Sequence, residues 1–157
     1  MKRLFVLFAF VTLFGGSAAL AAEPTPSAPK PESMMSKPTI TIPQDTAAPA
    51  TLQTDDRTVG TGDEAVAGKT VEVHYVGVSW SSGKEFDSSW DRRQTFKFKL
   101  GGGQVIKGWD QGVAGMKVGG RRQLTIPPDL AYGNKAVGGV IKANETLVFV
   151  VDLISVN

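Results

Sequence analysis

The stretch Val71-Glu72-Val73-His74-Tyr75 places an apolar side chain at every second position. Successive side chains of a β-strand point to opposite faces, so this alternation predicts a strand with one buried face and one wet face. The same period of two returns in three later stretches of the chain: Phe96–Leu100, Leu124–Ile126 and Leu147–Leu153. The sequence therefore predicts an antiparallel sheet.

One short helix is predicted among these strands. Within Lys107–Val113, Trp109 and Val113 are four residues apart and so share one helical face. Gly119 and Gly120 supply a turn before the next strand. We expect an α+β domain in which an antiparallel β-sheet wraps around one short α-helix, with Trp109 packed on the buried face of the sheet.

The N-terminus has the three parts of a secretory signal peptide. Lys2 and Arg3 are positive, residues 4–14 are apolar, and residues 17–22 are small and contain an Ala-Leu-Ala cleavage pattern. The apolar stretch is only about half of the roughly 20 residues that cross a bilayer. We expect a cleaved signal peptide over residues 1–21, no membrane span after cleavage, and a periplasmic or secreted mature protein.

The next segment is rich in proline. Seven of the nine prolines fall between residues 23 and 50, among Ala, Ser, Thr and Lys. Such a composition cannot bury enough apolar surface to offset the entropy of ordering the chain, and the prolines around Thr39–Pro43 oppose strand pairing there. We expect a disordered tether over residues 22–55 and a single domain over residues 56–157, which we expect to be monomeric.

Composition argues against several classes of function. The chain has no cysteine and a formal net charge of +2, which falls to 0 when Lys2 and Arg3 are subtracted. No basic stripe of the kind that binds nucleic acid is present. His74 is the only histidine, so we expect no metal site. The sequence has no Gly-x-Ser-x-Gly motif to supply an activated serine beside it, so we expect no Ser-His-Asp hydrolase either. Residues 62–70 place five residues between two glycines, where a phosphate-binding loop has four. No cofactor is expected.

Aromatic residues recur around one obvious carboxylate, Asp87. Rotation about an X-Pro bond has a barrier of about 18–20 kcal/mol, yet it makes and breaks no covalent bond and needs no nucleophile. The planar amide is more polar than the twisted amide, so a dry aromatic pocket favours the twisted form. Lowering the barrier by about 4 kcal/mol accelerates the rotation roughly a thousandfold. A pocket of this composition suits prolyl isomerisation.

Five motifs make the comparison specific. They follow one another in the order Val73-His-Tyr-Val-Gly77, Phe86-Asp-Ser-Ser89, Val105-Ile-Lys-Gly-Trp109, Ala131-Tyr-Gly133 and Leu147-Val-Phe149. Over residues 60–156 the chain resembles the FKBP-type peptidyl-prolyl isomerases, the tacrolimus-binding family. The resemblance implies an FKBP-like fold and isomerase activity.

The resemblance also implies a role for each matched residue. Trp109 would form the floor of a proline pocket, and its walls would be Tyr75, Phe96, Val105, Ile106 and Phe149. Phe86 and Asp87 would flank the twisting carbonyl. The Ile106 amide and the Tyr132 hydroxyl would hold the peptide backbone, and Val140 and Ile141 would belong to a flap over the site. Four further apolar residues are expected in the core: Phe98, Leu100, Leu124 and Leu153.

The expected partners are proline-containing unfolded or nascent polypeptides, together with macrolide inhibitors of the tacrolimus and rapamycin type. Many relatives carry proline where Lys142 stands, and Gly138 and Gly139 make this flap more flexible. An alternative function is a non-catalytic peptide-binding module or holdase chaperone that uses the same apolar groove. A scaffold held by the tether is a third alternative.

Overall fold

A computed structural model of the chain describes residues 36–157. The strands are β1 (Gln53–Thr58), β2 (Thr70–Ser79), β3 (Glu85–Ser88), β4 (Phe96–Lys99), β5 (Arg121–Ile126) and β6 (Leu147–Val156). The helix α1 (Lys107–Gly112) lies between β4 and β5, and a 3-10 turn (Pro128–Leu130) follows β5. The predicted signal peptide over residues 1–21 lies outside the described residues, as does the tether up to residue 35.

The six strands form one antiparallel sheet in the order β1-β5-β6-β2-β3, with β4 also paired to β2. Its centre is the long pair β2 and β6, which runs from Val71 opposite Val156 to Ser79 opposite Leu147. Helix α1 ends one residue earlier than predicted, because Val113 serves as its C-cap. The predicted α+β fold, an antiparallel sheet with one short helix, is confirmed.

The main core lies between the sheet and α1. Val71, Val73 and Tyr75 of β2 are buried in one cluster with Trp109 and Val113 of the helix. Phe98, Leu100, Leu124 and Leu153, which were expected in the core, are each at most 2% exposed. The alternation in β2 thus points its aromatic residue at the helix.

The expectation of a wet outer face is wrong for part of the sheet. Val76, Val78 and Val148 lie in a second buried cluster, and Ile42 packs with them. Residues on both faces of the second half of β2 are therefore buried, and its burial pattern no longer alternates. The alternation weakens because a preceding segment of the chain covers the outer face.

Residues 36–55 differ from the disordered tether that was predicted. Strand β1 begins at Gln53, three residues before the predicted start of the domain at residue 56. Ile42, only 7% exposed, is packed against the sheet. Composition predicted disorder because the segment has too little apolar surface to offset the entropy of ordering it. Residues 36–52 do lack helix and strand, but isoleucines between the prolines still supply apolar surface that the sheet can bury.

Candidate functional site

Helix α1 places Trp109 at the base of an aromatic cluster. The ring centroid of Tyr75, from β2, lies 5.0 Å from that of Trp109, with the planes at 83°. The ring centroid of Phe149, from β6, lies 5.3 Å away at 88°. Phe96, from β4, makes a third edge contact at 6.3 Å. Edge-to-face packing brings the positive edge of one ring to the negative face of another, so these contacts fix the orientation of the rings.

Phe86 joins this cluster over Gly77 of β2. Its ring meets Phe149 edge to face at 5.6 Å, above Gly77 of β2. A methyl group at Gly77 would lie 2.7 Å from the Phe86 ring and 2.8 Å from the Phe149 ring, which is closer than carbon atoms can pack. The absence of a side chain at Gly77 therefore leaves the space in which the two rings meet.

Asp87 lies beside the cluster in a hydrogen-bonded network. The register of β2 and β3 sets Gly77 opposite Asp87, and the Tyr75 hydroxyl donates a 2.7 Å hydrogen bond to the Asp87 carboxylate. The Arg92 guanidinium forms an ion pair with Asp87 and donates a 2.7 Å hydrogen bond to the Tyr75 oxygen. It also lies over the Tyr75 ring, 5.5 Å from its centroid. Carboxylate, phenol and guanidinium hold one another in place.

Burial and the charge of Asp87 act on both tyrosines. Burial raises the pKa of Tyr75, and the neighbouring Asp87 carboxylate raises it further, while Arg92 partly opposes this shift. Burial and the same carboxylate raise the pKa of Tyr132 from 10.0 to about 12. A phenol of ordinary pKa, about 10, is already protonated at neutral pH, and the two shifts extend to higher pH the range in which both hydroxyls can donate hydrogen bonds.

Ile106 and Tyr132 stand at the edge of the cluster. Both are half-buried and pack against it. Ile106 immediately precedes α1, and its carbonyl accepts hydrogen bonds from the amides of Trp109 and Asp110. Its own amide finds no acceptor among residues 36–157. This leaves one backbone donor available for a ligand at the start of the helix.

The fold brings ten of the eleven predicted residues together. Nine belong to one apolar cluster, either buried or packed on its edge: Tyr75, Phe86, Phe96, Val105, Ile106, Trp109, Tyr132, Ile141 and Phe149. Asp87 joins them through Tyr75. The exception is Val140, which is 44% exposed and stands in the turn closed by the pairing of Val137 with Ile141.

Sequence reasoning missed Arg92. Two adjacent arginines follow Asp87 at positions 92 and 93, and no local pattern distinguishes them. The fold directs the Arg92 guanidinium to Asp87 and Tyr75, whereas Arg93 has a positive φ of 53°. Predicting the role of Arg92 would have required the conformation of the turn, which decides which of the two side chains points towards Tyr75.

The indole of Trp109 has no exposed surface. A prolyl ring could therefore contact it only after the groups that cover it have moved aside. Phe86, Phe96 and Tyr132, by contrast, are each only half-buried. Ligand contact with the edge of the cluster needs less rearrangement than contact with its base.

Within residues 36–157, no three His, Asp or Glu side chains lie close enough to hold a metal ion. The same part of the chain contains no helix that is long and apolar enough to cross a membrane.

Comparison with known proteins matches this geometry to a family. A model of the family "FKBP-type peptidyl-prolyl cis-trans isomerase" matches residues 62–154. An FK506-binding protein of Streptomyces anulatus is 60% identical over 109 residues, which cover 69% of this chain and 88% of that protein. The crystal structure of AtFKBP13 is similar, with a TM-score of 0.63, 42% identity, and coverage of 69% of this chain and 94% of that one. FkpA from Escherichia coli is also similar, with a TM-score of 0.62, 42% identity, and coverage of 68% of this chain and 48% of that one.

Proposed function

Because the chain belongs to the FKBP-type peptidyl-prolyl cis-trans isomerase family, we propose that it isomerises X-Pro bonds of unfolded or nascent polypeptides at the cluster built on Trp109. The observation that carries this proposal is the Asp87 carboxylate, fixed by Tyr75 and Arg92 at the edge of five aromatic rings. A planar prolyl amide loses polarity as it twists, so a site poor in water favours the twisted state.

In this proposal, different residues of the site contact different parts of the bound peptide. Once the groups that cover Trp109 have moved aside, the rings of Tyr75, Phe96 and Phe149 enclose the prolyl ring above it, with Val105 completing the wall. Phe86 and Asp87 flank the carbonyl that rotates. The Ile106 amide and the Tyr132 hydroxyl hold the backbone of the peptide, while Val140 and Ile141 cover it. The free Ile106 amide and the position of Tyr132 at the edge of the cluster support the assignment of these donors.

A protease-coupled assay on a proline-containing tetrapeptide tests this function. The full chain should accelerate the isomerisation, and Asp87→Ala should lower kcat/KM about tenfold or more, the equivalent of about 1.4 kcal/mol. Asp63→Ala is the matched control, because Asp63 is exposed and its carboxylate makes no contact with the cluster. Equal rates for the wild type and Asp87→Ala would exclude the proposed role of the carboxylate.

The same variants separate catalysis from peptide holding. If the chain suppresses aggregation of an unfolded protein equally well with and without Asp87, and shows no isomerase activity, the holdase alternative replaces the proposal. Names of relatives refer to FK506, so macrolides of the tacrolimus and rapamycin type are the proposed inhibitors. Fluorescence titration of tacrolimus against the wild type and Asp87→Ala tests whether the drug and the peptide share one site.

We also propose that the protein is exported and acts in the periplasm or outside the cell as a monomer. The positive, apolar and small-residue parts of residues 1–21 support export. Mass spectrometry of the protein recovered from the exporting host should find a new N-terminus at residue 22 or 23. Sedimentation of that mature protein should give the mass of one chain.

A further inference from the structure

The segment Glu85–Arg92 has two functional sides. Phe86, Asp87 and Arg92 face the candidate site, where Asp87 and Arg92 bind Tyr75. Glu85 and Asp91 point the other way and meet Lys37. The positions of the site residues and of these outward residues are therefore coupled through one short length of backbone.

A preceding segment, Ser36–Ile42, contacts this outward side; we call it the strap. The Lys37 ammonium lies 2.8 Å from a Glu85 carboxylate oxygen and 3.0 Å from one of Asp91. Lys37 thus joins the start of β3 to the loop that follows it. Two strap carbonyls are also held, since Ser36 accepts a 2.7 Å hydrogen bond from Arg121 and Thr39 accepts a 3.0 Å bond from Arg57.

Apolar contacts anchor the strap to the same region. Ile42 is buried with Val76, Val78 and Val148 on the outer face of the sheet. Ile40, Trp80 and Trp90 are the half-buried residues packed against that cluster. Trp90 is adjacent to Asp91, and its indole stacks on His74 of β2 with centroids 4.2 Å apart. The loop after β3 is therefore fixed to the outer face by a stacked ring as well as by Lys37.

We propose that the strap is a positioning element for the isomerase site, with Lys37 as its positioning residue. By holding Glu85 and Asp91 from behind the sheet, Lys37 keeps Asp87 and Arg92 within hydrogen-bond reach of Tyr75. This inference rests on the proposed function of Asp87. It assigns a catalytic consequence to a part of the proline-rich region that packs on the opposite face of the sheet from the site.

The expected loss of kcat/KM on replacing Lys37 follows from the solvent exposure of its two ion pairs. The Lys37 side chain is 36% exposed, and its partners Glu85 and Asp91 are 35% and 46% exposed. Ion pairs this accessible to water are weak and are screened by salt. Loss of both pairs is therefore expected to lower kcat/KM about two- to fivefold at low ionic strength, with a smaller difference at high salt.

The test compares Lys37→Gln with Lys37→Arg in the full chain, using the tetrapeptide assay and urea unfolding. Lys69→Gln is the matched control, because Lys69 is an exposed lysine outside the strap. Lys37→Gln should lower kcat/KM two- to fivefold, Lys37→Arg should retain the wild-type value, and the control should not change. In the Asp87→Ala background, Lys37→Gln should have no further effect, because the carboxylate that it positions is already gone.

Two outcomes would overturn the inference while leaving the function intact. One is a Lys37→Gln variant as active as the wild type at low salt, in a preparation where Asp87→Ala loses activity. The other is an equal loss from Lys37→Gln with and without Asp87, which indicates a general effect on the fold. An inactive wild-type chain would instead refute the proposed function itself, and the positioning role with it.

Discussion

The Tyr75 hydroxyl donates a 2.7 Å hydrogen bond to Asp87 across the β2–β3 ladder. Arg92 binds both members of this pair from the loop after β3. The tyrosine ring packs on Trp109, so this one side chain belongs to the aromatic cluster and to the polar network. The carboxylate is therefore positioned by a residue that is itself fixed in the core.

Replacing Tyr75 by phenylalanine should separate these two roles. Tyr75→Phe keeps the ring but removes one hydrogen bond to Asp87 and one from Arg92, so we expect the free energy of unfolding to fall by about 1–3 kcal/mol. We also expect kcat/KM to fall, because Asp87 is then held by Arg92 alone. Urea unfolding and the tetrapeptide assay measure the two effects. An unchanged kcat/KM would show that the phenol has no part in positioning the carboxylate.

A methyl group at Gly77 should damage the site more than the fold. In Gly77→Ala the new carbon would lie 2.7 Å from Phe86 and 2.8 Å from Phe149, so both rings must shift. We expect kcat/KM to fall strongly while the sheet persists, because Gly77 is paired with both β3 and β6 and has no positive φ, although the β2–β3 register shifts directly after it. The tetrapeptide assay measures the fall in kcat/KM, and far-ultraviolet circular dichroism measures whether the sheet is retained. Gly83→Ala is not a suitable control, since Gly83 has a positive φ of 67° and would be strained by any side chain.

The ionisation of the two tyrosines should depend on folding. Since burial and Asp87 raise the pKa of Tyr132 from 10.0 to about 12, the folded chain keeps a proton that the unfolded chain releases between these values. Stability from this group is therefore complete below pH 10 and is lost as the pH rises towards 12. Tyr75 acts in the same direction.

Absorbance at the phenolate band can follow the ionisation of Tyr75 and Tyr132 directly, because the chain contains only these two tyrosines. The folded protein should show little phenolate at pH 10, where an exposed tyrosine would be half ionised, and the signal should rise as the protein unfolds. Tyr132→Phe should reduce the loss of stability between pH 10 and 12. Half-ionisation of both phenols at pH 10 in the folded state would contradict the prediction.

The buried ion pair of Arg121 and Asp152 should be costly to break. Asp152 is fully buried, its carboxylate lies 2.6 Å from the Arg121 guanidinium, and burial raises the pKa of Asp152 even though Arg121 opposes the shift. In Arg121→Met the carboxylate loses its cation, and we expect the free energy of unfolding at pH 7 to fall by about 3–5 kcal/mol.

Two controls show whether the loss of stability in Arg121→Met comes from the unpaired charge of Asp152 or from altered packing. The loss in Arg121→Met should shrink as the pH falls, because protonation removes the buried charge of Asp152. The double variant Arg121→Met with Asp152→Leu should recover much of the stability, since two apolar side chains need no compensation. A double variant no more stable than Arg121→Met would indicate that packing around Arg121, including its bond to Ser36, dominates.

Four of the six strands and the helix could be predicted from local pattern, whereas β1 and β3 have no run of alternating apolar residues and could not. Val71, Val73 and Tyr75 alternate because one face of β2 meets the helix, and Trp109 with Val113 marks the helical face that meets the sheet. Motif order then grouped the aromatic residues with Asp87. The strand and helix signals are readable because each depends on residues close together in the chain, whereas the grouping of the aromatic residues depended on the resemblance of the whole motif order to a known family.

Other features depend on contacts between distant parts of the chain. The sequence by itself determined the main strands of the antiparallel sheet and the short helix, because hydrophobic period is a local property, and its resemblance to a known family implied which aromatic residues form the site. Only the tertiary structure decided that Arg92 rather than Arg93 binds Asp87, that Gly77 makes room for two rings, and that residues 36–42 pack on the outer face. Those outcomes follow from strand register and from the burial of Ile42 against β2 and β6, which bring together residues that no short stretch of sequence relates.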